Sequence, residues 1–208
     1  MVHSLDEFIV ENSKTARSFL KLLKIPTPQN QLKIHLLNKH TDPTDFPAFL
    51  QSCREGKNVG LISEAGCPGI ADPGAEIALL AHKENIQITP LIGPSSILLS
   101  LMASGMNGQS FCFNGYLPID KLDVKKRLKD LERISRNLNQ TQLFIETPYR
   151  NTKLLENILQ TLQDSTQLCI ACDLSLSTEY IKTKTIGTWR KSKYPNLHKR
   201  PCIFLIQA

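Results

Sequence analysis

The sequence predicts an α/β protein of two lobes, an N-terminal one on a mainly parallel sheet and a C-terminal one on a mixed sheet, with a cleft between them. Three observations carry this. The stretch from Val59 to Ile92 reads strand, loop, helix, strand, the unit from which parallel sheets are built. Before it, two further short apolar runs alternate with helical patterns. Toward the C-terminus the strand-like runs crowd together, as antiparallel neighbours do.

Taken in order, Glu7-Phe8-Ile9-Val10-Glu11 reads as a short buried strand, and Asn12 or Ser13 can cap the helix after it. In that helix Ala16, Phe19, Leu20 and Leu23 repeat at helical spacing and face the sheet. Leu32 to Leu37 is a second strand. Asp42 to Pro47 is a turn into a helix with Phe46, Phe49, Leu50 and Cys53 on one side, closed by Gly56. Val59-Gly60-Leu61-Ile62 is the next strand. The twelve residues 63–74 then hold three glycines and two prolines, more than a turn between strand and helix requires. The glycines allow close approach to the backbone, and Pro68 and Pro73 shape the loop in advance. Asp72 reads as a helix cap with Pro73 in the first turn, ahead of a helix from Ala75 to Lys83. Ile86 to Ile92 is the following strand. It ends in a second corner, Gly93-Pro94-Ser95-Ser96, which opens a helix from Ile97 to Ala103. Two such corners after successive parallel strands form the lips of one crevice.

The second half begins at Tyr116, which divides the chain into lobes 1–115 and 116–208. Lys121 to Asn139 is a basic helix whose buried stripe is Val124, Leu128, Leu131 and Leu138. Its Lys125, Lys126, Arg127, Lys129, Arg133 and Arg136 suit either a solvated face or one that meets RNA. Gln142 to Glu146 is a strand, and Leu154, Leu155, Ile158, Leu159 and Leu162 give the next helix its apolar side. Leu168 to Leu174, Tyr180 to Thr188 and Pro201 to Gln207 are further strands.

Composition sets limits. The chain has 208 residues, 41% hydrophobic and 21% charged, with a net charge of +6 that suits an anionic partner without requiring one. It contains no apolar run long enough to span a bilayer and no signal peptide, so the expected compartment is the cytoplasm. Cys53, Cys67, Cys112, Cys169, Cys172 and Cys202 lie scattered among apolar neighbours and read as reduced core residues. Cys169 and Cys172 stand three apart on a strand and point to opposite faces, and His35 and His40 lack a cluster, so no metal is expected. No Gly-x-Gly-x-x-Gly follows a predicted strand, which disfavours a dinucleotide oxidoreductase.

Several of these segments carry a resemblance. Ser63-Glu64-Ala65-Gly66-Cys67-Pro68-Gly69-Ile70-Ala71-Asp72-Pro73-Gly74 resembles the Ser-Asp-Ala-Gly-Thr-Pro-x-x-x-Asp-Pro-Gly segment of class III S-adenosylmethionine-dependent methyltransferases, the tetrapyrrole methylase superfamily. Pro90-Leu91-Ile92-Gly93-Pro94 is similar to that family's Pro-Leu-Pro-Gly-Pro corner. Phe111 to Pro118 resembles its interdomain Phe-x-x-x-Gly-Phe-Leu-Pro bridge, and Glu146-Thr147-Pro148-Tyr149-Arg150 its Glu-Ser-Pro-His-Arg. Within the superfamily the likeness is to the branch that methylates small-subunit ribosomal RNA.

The resemblance implies a tetrapyrrole methylase-like fold, a homodimer, and S-adenosylmethionine as cofactor. It assigns cofactor contacts to Ser63, Glu64, Ala65, Gly66, Cys67 and Pro68, to Gly93, Pro94, Ser95 and Ser96, and to Tyr116, Leu117, Asp173 and Leu174. The implied reaction is 2′-O-methylation of rRNA ribose, with Glu146 as the candidate base; the same carboxylate is equally suited to holding its loop through Arg150. A thiol at Cys67 suits packing against a ligand better than nucleophilic attack. Two other functions stay open: a class III methyltransferase for a tetrapyrrole or other small molecule, and a catalytically impaired homologue that binds cofactor or RNA. In the family a strand and a Pro/Gly loop precede the counterpart of Phe8–Glu11, and Met1–Glu7 has room for neither. The N-terminal sheet is then expected to close up without that strand, to borrow one from a second subunit, or to belong to a shortened form.

Overall fold

The computed structural model describes residues 1–208, which divide into two compact units, Met1–Pro94 and Ser95–Ala208. In the N-terminal unit a parallel sheet has β1 (Glu7–Val10) at its centre, between β2 (Lys33–Leu36) and β3 (Gly60–Ile62). All four residues of β1 are buried, as befits a parallel strand covered on both faces. One face packs Phe8 and Val10 with Leu5, Ala16, Leu20 and Leu32; the other packs Ile9 with Leu37, Phe49, Leu50, Ile77 and Ala81. Helix α1 (Ser13–Leu22) starts where expected, the Asn12 Oδ1 accepting from Lys14 N at 2.9 Å and Thr15 N at 3.3 Å. Its Phe19, however, is left half exposed.

The helix expected after Asp42 breaks into a 3-10 turn (Pro43–Asp45) and two single turns, α2 (Phe46–Phe49) and α3 (Gln51–Arg54). Asp72 is not a cap: α4 (Ala75–Lys83) starts from Gly74 at φ +136°. The expected strand Ile86–Ile92 is not formed. Both edges of β1 are taken, and the outer edge of the three-residue β3 pairs with nothing. Ile86–Ile92 does not join that free edge despite its alternating pattern, and Ile88, Leu91 and Ile92 remain exposed.

The C-terminal unit is a five-stranded mixed sheet of order β4-β5-β8-β6-β7, comprising β4 (Phe111–Tyr116), β5 (Thr141–Ile145), β6 (Gln167–Cys172), β7 (Tyr180–Thr185) and β8 (Cys202–Gln207). Only β4 and β5 run parallel; every other pair is antiparallel. On one face α6 (Lys121–Leu138), α7 (Asn151–Thr161) and α8 (Ile186–Arg190) bury Val124, Leu128, Leu131, Leu155, Ile158 and Trp189. On the other face α5 (Ser96–Ser104) lays Leu101 against Leu143, Cys169, Ile203 and Leu205. This packing moves the boundary between units to Pro94, ahead of the 115/116 division expected from sequence, because α5 and β4 belong to the second sheet.

The buried stripe of α6 ends at Ser135; Leu138, on the last turn before a left-handed Asn139, is exposed. Cys169 and Cys172 do face opposite sides, but the expectation of reduced cysteines fails at one pair. Cys172 stands directly across from Cys202 in the β6–β8 ladder, with Cα atoms 4.3 Å apart, and the two are disulfide-bonded. That close spacing suits the non-hydrogen-bonded position of an antiparallel ladder. No helix is long and apolar enough to cross a membrane.

Candidate functional site

In the N-terminal unit the Gly/Pro loop leaves β3 at Ser63, whose buried Oγ accepts from Gly66 N at 3.1 Å. Two main-chain bonds fold the loop on itself, Ile70 N to Cys67 O at 3.0 Å and Gly69 N to Pro73 O at 3.2 Å. Glu64 is tied to the neighbouring strand end: its N–H donates to Glu11 Oε2 at 3.2 Å, and Thr15 Oγ1 donates to its carboxylate. The second corner meets this loop. The Cys67 thiol donates to Pro94 O at 3.5 Å, and a Cβ placed on Gly93 would lie 4.0 Å from Gly66 O. The two bends therefore adjoin, as their composition predicts. Glu64, Ala65, Gly66, Gly93 and Pro94 are exposed residues beside the clasp, with Pro68 half-buried. Cys67 holds the two bends together, a role not foreseen for it.

In the C-terminal unit a cavity of about 390 Å³ opens at the ends of β4, β5 and β6, within the range of small-molecule sites. Ser96, Tyr116, Glu146, Asp173 and Leu174 line it. Leu117 does not; it is buried in the core beneath α6 and α7, because alternation along the chain turns it away from Tyr116. Ser95 occupies the residue before α5, without a side-chain capping bond, and is not part of the lining. A smaller hollow, about 230 Å³ between Pro43, Phe46, Glu76 and Lys83, gathers none of the predicted site residues.

The two carboxylates of the cavity are held differently. Glu146 is buried; its Oε1 accepts from Arg150 Nη2 and from Thr147 N, both at 2.6 Å, while Oε2 makes no hydrogen bond. Arg150 Nε also donates to Thr147 Oγ1 at 3.2 Å, so the loop is braced at its first turn. Asp173 sits past the end of β6 at φ +49°. Its Oδ2 accepts from Thr178 Oγ1 at 2.8 Å and Arg200 Nε at 2.7 Å. Burial pushes the Asp173 carboxyl up, but the Thr178 hydroxyl and the Arg200 guanidinium outweigh it and hold it below the usual aspartate range. Oδ1 is left for a ligand.

Sequence reasoning missed much of this wall, Leu176, Pro201 and Cys202 among it, and also Arg200, which fixes Asp173 from 27 residues away. No local pattern marks such a partner. Only the β6–β8 pairing brings it near.

A parallel-sheet unit with Gly/Pro bends and a mixed-sheet unit with a cavity at its strand ends define an α/β protein. The chain belongs to the family Tetrapyrrole (Corrin/Porphyrin) Methylases, whose model matches residues 4–189. Among curated relatives, the ribosomal RNA small subunit methyltransferase I of Bacillus subtilis is 32% identical over 184 residues, covering 88% of this chain and 60% of its own length. That of Vibrio cholerae is 28% identical over 189 residues, 89% of this chain and 62% of its own. The chain thus spans about 60% of the length of the curated relatives it matches. Two solved structures share its fold. The methyltransferase CobJ aligns with a TM-score of 0.59 and 18% identity, covering 97% of this chain and 82% of that one. The cobalt precorrin-4 methyltransferase CbiF aligns with 0.60 and 15%, covering 99% and 85%.

Proposed function

We propose that this chain is an S-adenosylmethionine-dependent methyltransferase acting on RNA, with a ribose 2′-hydroxyl of small-subunit ribosomal RNA as acceptor, and that it works as a homodimer. The observation that carries the reading is the meeting of the two Gly/Pro bends, Cys67 on Pro94 and Gly66 against Gly93, with both glycines exposed. Main-chain groups at such a place can contact a nucleoside closely, without side chains in the way. In the N-terminal unit the residues assigned to the cofactor are Ser63 to Pro68, Gly93 and Pro94. In the C-terminal unit they are Ser96, Tyr116, Asp173 and Leu174. The cavity there is mainly apolar, with the Glu146 and Asp173 carboxylates each paired to an arginine, and suits a ligand with an apolar body and a few hydrogen-bonding groups.

S-adenosylmethionine supplies a methyl group on a sulfonium that departs without acid catalysis. The chain must therefore orient the acceptor in line with the methyl and take up one proton. Glu146 is assigned the proton, since Arg150 and Thr147 fix Oε1 and leave Oε2 free. On α6, Lys126 and Lys129 are exposed and make no ion pair, whereas Arg127 and Arg136 are bonded to Asn114 and Gln163. The unpaired lysines support an electrostatic contact with RNA phosphate. The test is transfer of labelled methyl from S-adenosylmethionine to purified small-subunit rRNA or small subunits, with a corrinoid acceptor in parallel. Label in RNA supports the reading. Label only in the corrinoid points to a small-molecule enzyme, and label in neither to a binding protein without catalysis.

A further inference from the structure

Beside the cavity, two loops of the C-terminal unit are tied together: Lys199 N donates to Pro148 O at 3.0 Å, and Asn151 Nδ2 to Arg200 O at 2.6 Å. They present Tyr149, a large aromatic side chain with 69% of its surface exposed. Its ring is propped edge-on by His198, centroids 5.9 Å apart at 77°, and the Lys199 ammonium lies 5.9 Å from the ring centre. Lys199 holds a left-handed backbone conformation, φ +61°, to place itself there. The acids close by, Glu146 and Asp173, are already matched by Arg150 and Arg200, so the surplus charge on this surface is positive. Pro148 and Pro201, the flanking residues of the two loops, both line the cavity.

We propose that Tyr149, His198 and Lys199 form a stacking platform for one unpaired RNA nucleotide beside the methylated one. The base lies on the exposed Tyr149 ring, and its phosphate meets the Lys199 ammonium. An exposed aromatic face takes any base, and a positive rim without free carboxylates selects a nucleic acid over an acidic-and-basic protein surface. An RNA duplex keeps its bases stacked and has none to offer, so the platform selects single-stranded acceptor regions. This rests on the proposed RNA-methylating function and adds the form of its substrate.

The test uses the full chain and a fluorescein-labelled single-stranded RNA oligonucleotide of mixed sequence, read by fluorescence anisotropy, with a duplex of the same sequence as comparison. Tyr149→Ala should weaken single-strand binding about 5- to 150-fold, the range expected for one lost stack. Tyr149→Phe and Tyr149→Trp should retain it, and Lys199→Gln should lower the salt slope by about one phosphate contact. S-adenosylmethionine binding, measured by calorimetry, should be the same in wild type and Tyr149→Ala. No binding of the oligonucleotide by the wild type, equal affinity for wild type and Tyr149→Ala, or preference for the duplex would each overturn the platform. Loss of cofactor binding by the wild type would instead undo the methyltransferase reading.

Discussion

Replacing Gly74 by Ala tests how the Gly/Pro loop is shaped. Gly74 has φ +136° and ψ −21°, a conformation that costs an L-residue about 1–3 kcal/mol. The added Cβ would stand 3.0 Å from Leu61 Cδ2, 3.2 Å from Gly69 N and 3.5 Å from Pro68 Cβ. The Leu61 tip can rotate away. Gly69 N cannot withdraw without disturbing its bond to Pro73 O, so crowding adds about 1–3 kcal/mol. The expected loss is about 2–6 kcal/mol. Gly56→Ala is the control: φ is +80°, but nothing lies within 4 Å of the new Cβ, and left-handed strain alone costs about 1–2 kcal/mol. Urea unfolding followed by far-UV circular dichroism measures both. The single tryptophan, Trp189, is fully buried in the C-terminal unit and reports that unit separately by fluorescence. Because the displaced atoms belong to the loop assigned to the cofactor, Gly74→Ala should also weaken S-adenosylmethionine binding at least about tenfold, while Gly56→Ala leaves it unchanged. If Gly74→Ala is no more costly than Gly56→Ala and binds cofactor as the wild type does, the loop is not packed as described.

Three further outcomes follow from the same geometry. Burial pushes the Glu7 carboxyl up, but bonds from Ser52, His35 and Lys33 outweigh it and hold it below the ordinary value of 4.5. Its contribution to stability is therefore complete above about pH 4.5 and is lost as pH falls through the lower folded value, so Glu7→Gln should destabilise by about 1–3 kcal/mol at pH 7 and flatten the acid limb of a pH–stability profile. Glu146→Gln should lower kcat about 100-fold or more with little change in cofactor affinity; an unchanged rate would reduce Glu146 to a brace for its loop. Asp173→Asn removes the carboxylate facing Arg200, and both cofactor affinity and thermal stability should fall; titration calorimetry and a melting curve decide it.

What could be read from the sequence was whatever local pattern determines. The α1 cap at Asn12, the amphipathic α6 and the mixed C-terminal sheet follow from capping chemistry and periodicity. The meeting of the two bends was legible as well, since Gly66 and Gly93 leave room for it. The failures are places where a distant partner decides. Ile86–Ile92 has a strand's alternation but pairs with no strand, so Ile88, Leu91 and Ile92 stay in solvent while Ile86 alone packs on the core. The Cys172–Cys202 bridge depends on register across β6 and β8, 30 residues apart in the chain. Leu117, given by the family resemblance together with Tyr116, points the other way one step along the chain and is buried. The same long-range pairing brings Arg200 to Asp173, which is why half the cavity wall went unrecognised.

The account stands or falls on whether main-chain bends at Cys67 and Gly93 belong to a sulfonium nucleoside site. Isothermal titration of the full chain with S-adenosylmethionine measures this directly. The prediction is saturable heat with one site per chain, abolished or strongly weakened in Gly74→Ala. A folded chain, with native circular dichroism, that gives no heat at any cofactor concentration up to the millimolar range would contradict it.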